Sequence, residues 1–286
     1  MGTLYLVATP LGNLEDITLR ALRILRESRI IAAEDTRHTR KLLNHFAITT
    51  PMISYHEHSG PSGIAIVLVA LANGDVALVS DAGTPALSDP GADLIQAALA
   101  AGYPVTPIPG PSAAITALIA SGLPTDQFTF LGFLPRRARE RRALLTSVRS
   151  EPRTLILYEA PHRLHACLDD LLAVLGDRDA CLARELTKVH EEWLRGPLTH
   201  LRAKYTRDEP RGEYTVVIAG AQTLEPPDRE VEPAERESHA RERLRALLAE
   251  GRSTRDAAAQ VAGELAISRR DAYRLALDAA SARAEE

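Results

Sequence analysis

The segment VALVSDAGTPALSDPG, residues 76–91, decides the fold class, and YPVTPIPGPS, residues 103–112, extends the same pattern. Val76, Ala77, Leu78 and Val79 form a short apolar run, the pattern of a strand buried in a parallel sheet. The run breaks at Ser80-Asp81 into a loop of Gly, Pro, Ser and Asp. A helix is predicted from about residue 91 to 101 and a second strand over 105–108. That strand breaks at Pro109-Gly110-Pro111, before a helix starting near Ser112. Two neighbouring strands are thus expected to end in two loops without bulky side chains. Open α/β sheets bind ligands beyond the carboxyl ends of their strands. Glycine admits close approach of backbone to a ligand, and proline holds a loop in shape. One such loop alone reads as a tight turn; two in successive βα units point to a ligand site.

Working outward, residues 3–8 read as a strand with the loop TPLGN behind it, and a helix over 18–28 carries Leu19, Leu22 and Leu25 on one face. A strand over 29–33 ends in Glu34-Asp35-Thr36-Arg37 and leads to a short basic helix over 38–45. A strand over 52–55, the trio His56-Glu57-His58 and a helix over 64–72 complete the run up to Val76. Strands alternating with helices at this spacing predict a parallel sheet with helices on its faces. Beyond Leu123-Pro124-Thr125 the rhythm changes. Strands are predicted over 127–131, 154–158 and 180–184, with 212–218 closing a second sheet. Between them lie a very basic helix, PRRARERRALL at 135–145, a helix over 161–175 with Pro161 in its first turn, and a helix over 198–205.

These readings divide the chain into an α/β domain at 1–123, a second at 124–222, a linker at 223–235 and a helical module at 236–286. The module's last two helices, STRDAAAQVAGELA and ISRRDAYRLALDAA, read as a helix-turn-helix. Arg269, Arg270 and Arg274 would then lie on an exposed face. The alternative is a helical cap packed on its own domain.

Composition narrows the function classes. The 286 residues carry 34 Lys and Arg against 38 Asp and Glu, a net charge of −4, so any polyanion site must be a local patch. No apolar run is long enough to span a membrane. The opening residues show no basic leader and are expected to form a strand rather than a signal peptide. Cys167 and Cys181 make no disulfide framework, which fits a reducing cytoplasm. Neither GxGxxG nor GxxxxGK[ST] occurs, so the usual dinucleotide and phosphate loops are missing. His56 and His58 have no partner at metal-ligand spacing, and no metal is expected.

The segments LYLVATPLGNLEDIT, ILRESRIIAAEDTRHTRKLL, ISYHEH, ALVSDAGTPALSDPG, VTPIPGPSAAITAL, FLGFLPR, LYEAPHRL, ARELTKVHEE and GEYTVVIAG occur in this order over about residues 3–220. In them the chain resembles the tetrapyrrole-methylase superfamily, and more closely the ribosomal RNA small subunit methyltransferase I family. The polar residues expected after His58 are replaced by Ser59-Gly60-Pro61. The resemblance implies two α/β domains with S-adenosylmethionine in the cleft between them, in a homodimer. It also implies 2′-O-methylation of a cytidine in 16S ribosomal RNA, in the decoding centre. Carried over by position, the cofactor site would use Pro10, Asp81, Ala82, Gly83, Thr84, Pro111, Ser112 and Ala113. The second domain would add Tyr158, Glu159, Ala160 and Ala183.

A ribose hydroxyl must lose a proton, and Glu159, His162 and Glu185 are the candidate bases because each ends or follows a strand of the second domain. Arg136, Arg137, Arg139, Arg141 and Arg142 form the local positive patch suited to RNA phosphates. Competing readings are a methyltransferase acting on a small tetrapyrrole and a non-enzymatic RNA-binding assembly factor. The arginine run and the helical module argue against the first, and the intact glycine loops against the second.

Overall fold

The computed structural model describes residues 2–205, 209–221, 233–249, 252–264 and 267–284. Strands β1 (Leu4–Val7), β2 (Ile30–Ala33), β3 (Met52–Ser54), β4 (Val76–Val79) and β5 (Val105–Ile108) form an all-parallel sheet in the order β3-β2-β4-β1-β5. Helices α1 (Leu19–Glu27) and α2 (Thr36–His45) cover one face, where Leu25 and Leu43 pack on Ile31, Ala77 and Val79. Helices α3 (Gly60–Ala72) and α4 (Ala92–Ala100) cover the other, where Leu71 and Leu94 pack on Leu4, Val76 and Leu78. Pro61 sits in the first turn of α3, where its missing N–H costs nothing, so Ser59-Gly60-Pro61 starts the helix earlier than its apolar residues suggest.

Strands β4 and β5 are not neighbours as their sequence order suggests, because β1 lies between them. Adjacent strands β1 and β4 send the chain to opposite faces, β1 to α1 and β4 to α4. Their carboxyl ends therefore flank a topological switch point, where the crevice of an open sheet lies. Two backbone hydrogen bonds close it from below: Thr9 N–H donates to Gly83 O at 2.8 Å, and Gly83 N–H to Thr9 O at 3.0 Å. Thr84 Oγ1 donates to Pro111 O at 3.0 Å, joining the loops after β4 and β5.

The remainder of this unit comprises α5 (Ala113–Ser121), β6 (Phe128–Phe133), α6 (Ala138–Ser147), β7 (Thr154–Glu159), α7 (Leu164–Leu175), β8 (Asp179–Arg184), β9 (Glu192–Pro197), α8 (Leu198–Lys204) and β10 (Tyr214–Ile218). The second sheet runs β6-β7-β10-β8-β9; β6 and β7 are parallel and the other pairs antiparallel. Thus β10 does not close the sheet at an edge. It lies at the centre, and all five of its residues are buried. Strand β9 escaped the sequence reading because EWLRGP has no regular alternation; pairing with β8 supplies what propensity lacks. Arg136 and Arg137 precede α6 rather than starting it, and Pro161–Arg163 form a 3-10 turn ahead of α7.

Helix α5 falls within the first domain by sequence, yet it packs on the second sheet. Its small face, Ala114, Ala117 and Leu118, lies against Ile156, Cys181, Ala183 and Val217. Residues 1–221 accordingly form one compact unit, and a boundary at residue 123 divides the sequence without separating the packing.

Residues 222–286 form a second unit. Helices α9 (Pro233–Ala249), α10 (Thr254–Glu264) and α11 (Arg269–Ala284) share a core that includes Leu244, Val261 and Leu275. Ser253 and Ser268 cap α10 and α11 by accepting from Asp256 N–H and Asp271 N–H, and each serine hydroxyl donates to the same aspartate. Of the expected linker over 223–235, residues 223–232 lie outside the described residues, and residues 233–235 are not linker but the start of α9.

Candidate functional site

A cavity of about 260 Å³ opens at the switch point. Leu11 from the β1 loop and Asp81, Ala82, Gly83, Thr84, Leu87 and Asp89 from the β4 loop form one side. Glu34 at the end of β2 and Ala113 at the start of α5 extend it. The second sheet supplies the opposite wall through Phe133, Tyr158, Glu159, Glu213, Tyr214 and Thr215. Gly83 has φ +81°, and a Cβ there would meet Leu11 Cδ2 at 3.2 Å, so only glycine leaves this floor open.

The cavity is acidic. The ends of β2 and β4 are cross-tied, with Asp35 N–H donating to Asp81 Oδ1 at 3.0 Å and Asp81 N–H to Glu34 Oε2 at 3.3 Å. None of Glu34, Asp81, Asp89 and Glu213 makes an ion pair among the described residues. Burial pushes the Asp89 carboxyl up to about 6; the Ser80 hydroxyl opposes the shift, and the charges of Glu34, Asp81 and Glu213 add to it. Burial also raises Glu34. Tyr158 is raised by burial, although its hydroxyl accepts from Ala114 N–H at 3.2 Å. Clustered carboxylates that resist ionisation gain most from a bound cation.

Of the expected cofactor residues, Asp81, Ala82, Gly83, Thr84, Ala113, Tyr158 and Glu159 border this cavity. Pro10 is buried behind Leu11, and Pro111 contributes the carbonyl that takes the Thr84 hydroxyl. Ser112 begins α5 without a side-chain cap, and its buried Oγ has no partner among the described residues. Ala160 and Ala183 are outside the wall; Ala183 is buried in β8 opposite Thr215, and Thr215 reaches the cavity instead.

None of the three candidate bases presents its side chain to the cavity. On β7, Ile156 and Tyr158 face α5, whereas Leu155, Leu157 and therefore Glu159 face α7. The Glu159 carboxylate is fully buried, lies 3.1 Å from Arg163 Nε and accepts from Ala160 N–H at 2.9 Å. Burial first, and then that carboxylate, push the thiol of nearby Cys167 far up. The end of the strand, not the Glu159 side chain, thus borders the cavity. His162 is exposed on the 3-10 turn. Glu185 accepts from Lys188 Nζ at 3.0 Å and Glu213 N–H at 3.3 Å, and it lines a separate recess with Arg184 and His190.

Glu34, Asp89 and Glu213 are the carboxylates of the cavity that the sequence did not assign to the site; Asp89 read as a turn-former beside Asp81. Glu34 and Asp89 could have been found by weighing every carboxylate that follows a strand of the first sheet. Glu213 precedes β10, and no local signal brings it to a cleft.

The arginine run divides. Arg141 is buried, with Nε 2.7 Å and Nη2 2.6 Å from Asp170 Oδ2, and Arg142 Nε lies 2.6 Å from Asp170 Oδ1. These two arginines clamp α6 to α7 and leave the positive patch expected of them. Arg137 is exposed and pairs with Glu140 at 3.1 Å. Arg136 and Arg139 are exposed and make no ion pair among the described residues. On α11, Arg270 is exposed and Arg274 lies 3.7 Å from Asp271; the side chain of Arg269 is outside the described residues.

The sequence pattern of Tetrapyrrole (Corrin/Porphyrin) Methylases matches residues 3–202. A ribosomal RNA small subunit methyltransferase I of Synechocystis sp. is 51% identical over 280 residues, which cover 97% of this chain and 98% of that protein. Its counterpart from Thermotoga maritima is 46% identical over 221 residues, covering 77% of this chain and 99% of the relative. The uroporphyrin-III C-methyl transferase of Thermus thermophilus, solved in complex with S-adenyl homocysteine, superposes with a TM-score of 0.54 at 21% identity, covering 76% of this chain and 97% of that one. That likeness is one of fold. With the family pattern spanning most of the chain and a curated relative matched almost end to end, the chain belongs to the tetrapyrrole methylase family and, within it, to the ribosomal RNA small subunit methyltransferase I family.

Proposed function

We propose that the chain transfers the methyl group of S-adenosylmethionine to the 2′-hydroxyl of a cytidine in 16S ribosomal RNA, in the decoding centre of the small subunit. The observation that carries this reading is the acidic, glycine-floored cavity, in a chain whose relatives are named small-subunit RNA methyltransferases. The residues fit the methyl donor. Gly83 leaves a cradle that a side chain would fill, the unpartnered Ser112 Oγ is a free polar group beside the wall, and four unpaired carboxylates suit a cation.

S-adenosylmethionine supplies a methyl group already activated as a sulfonium, so alignment does most of the work of its transfer. The loop at Ala82, Gly83 and Thr84 offers backbone at close range, and Leu11 and Leu87 exclude water. Glu34, Asp81 and Glu213 favour positive charge. Asp89 is the proton acceptor in this reading: it lines the cavity, and its pKa of about 6 leaves it charged yet basic near neutral pH. Exposed Arg136, Arg137 and Arg139 hold RNA phosphates, which contribute affinity more than sequence choice.

The protein acts in the cytoplasm as a homodimer in this reading. No helix among the described residues is long and apolar enough to cross a membrane. The outer face of α3 is apolar, with Ile66 57% and Val69 67% exposed, which suits a subunit contact. A monomer by sedimentation at micromolar concentration would overturn the dimer.

The test of the activity is mass-spectrometric mapping of 16S RNA in unmodified small subunits after incubation with labelled S-adenosylmethionine. One 2′-O-methylated cytidine is expected. Methylation of a base atom, or of a deoxycytidine placed at the target, would overturn the reading.

A further inference from the structure

Phe133 is large, apolar and 51% exposed, yet it sits on the wall of an otherwise polar cavity. Its position is built rather than incidental. Phe130 and Phe133 are three apart in sequence, so regular alternation in a strand would put them on opposite faces. A register shift between Phe130 and Gly132 changes this. Phe130 pairs with Ile156 and Phe133 with Tyr158, two residues on one face of β7. Such bulges re-aim side chains beside active sites.

Gly132 makes the bulge possible. It has φ +62°, and a Cβ there would lie 2.7 Å from Ser88 Oγ, in the loop that carries Asp89. Both aromatic rings then meet Tyr158 edge to face, Phe130 at 5.1 Å and Phe133 at 5.5 Å between centroids. The lip is pinned on its far side by Arg163, whose Nη2 donates to Leu134 O at 2.5 Å and Pro135 O at 3.3 Å. Leu134 itself is buried. A half-exposed ring thus borders the acidic cavity, and the exposed Arg136 and Arg137 follow it in the chain.

We infer that Phe133 is the ledge on which the nucleobase of the acceptor nucleotide stacks, holding that nucleotide at the cavity while Arg136 and Arg137 take neighbouring phosphates. This rests on the RNA methyltransferase reading above and adds the residue that positions the acceptor. The chemistry points to a base: a half-exposed aromatic ring on the cavity wall, followed within four residues by the exposed Arg136 and Arg137, matches a nucleotide turned out of its stack. An RNA strand on this ledge would bring its ribose toward Asp89, because Gly132 sets the ledge against the Asp89 loop.

The test compares Phe133→Ala, Phe133→Leu and Phe133→Trp in the full chain. Single-turnover methylation of unmodified small subunits is measured at varied subunit concentration, with calorimetric binding of S-adenosylhomocysteine alongside. Phe133→Ala and Phe133→Leu are expected to lose about tenfold or more in RNA methylation efficiency, while Phe133→Trp stays close to wild type. All three should bind S-adenosylhomocysteine within about twofold of wild type. Equal loss of S-adenosylhomocysteine binding in Phe133→Ala would overturn the inference, since the ring would belong to the donor pocket. Unchanged methylation by Phe133→Ala, or a changed sedimentation coefficient showing the ring to be a subunit contact, would overturn it too. A wild-type protein that methylates no small-subunit RNA would instead remove the functional reading itself.

Discussion

Asp89 lies in a loop whose sequence, ALSDPG, reads as simple turn chemistry, and Asp in such a loop normally bonds its own backbone. Its surroundings give it a different character. With burial raising its pKa from 3.8 to about 6, the folded protein holds the proton more tightly than the unfolded chain. This group therefore subtracts stability as pH rises through the window from 3.8 to about 6. A bound cation reverses the preference, so ligand binding near pH 6 should release protons. Methyl transfer is expected to fall as pH drops below about 6, when the carboxylate becomes neutral. Asp89→Asn should be slow at every pH and lose that dependence. Calorimetry in buffers of different ionisation enthalpy and a pH–rate profile check the two statements; a wild-type rate that is flat from pH 5 to 7 would dismiss Asp89 as the base.

Pairing between α6 and α7 turns on one carboxylate. Asp170 is buried and holds both the buried Arg141 and the largely exposed Arg142. Removing a partner from a buried pair leaves an uncompensated charge, so Asp170→Ala should cost about 3–5 kcal/mol. Arg142→Ala should cost about 0–1 kcal/mol, since water already solvates that guanidinium. Thermal unfolding of the two variants checks the contrast, and equal melting temperatures would refute it. The sequence alone made Arg141 one of five similar arginines. Only the facing helix, with Asp170 at the matching height, separates it from Arg139.

At the scale of the molecule, residues 1–221 carry the cavity and both sheets, and residues 222–286 have a core of their own. The Thermotoga maritima relative is matched over 99% of its length by 77% of this chain. A fragment of residues 1–221 is accordingly expected to fold and to bind S-adenosylhomocysteine with unchanged affinity. Its methylation of small subunits should be weaker than that of the full chain if Arg270 and Arg274 contribute to RNA capture. Circular dichroism, calorimetry and the methylation assay separate these outcomes. Full RNA activity in the fragment would leave the helical unit without a role in capture.

Much of this was legible without coordinates. The run at 76–79, the break at Ser80-Asp81 and the Gly and Pro loops identified a parallel sheet whose strands end in open loops, because alternation and turn chemistry act over a few residues. Asp81, Gly83 and Tyr158 came from the family resemblance, carried over by position, and all three line the cavity. What the tertiary structure alone decided is non-local. It inserted β1 between β4 and β5, placed β10 at the centre of its sheet and laid α5 on the second sheet. It turned the Glu159 carboxylate toward α7, buried Arg141 against Asp170, and brought Glu213 across to Asp89. Each of these depends on which surfaces meet after the chain has folded back over long separations, and burial, not local pattern, then sets whether a charge is a ligand, a clamp or a base.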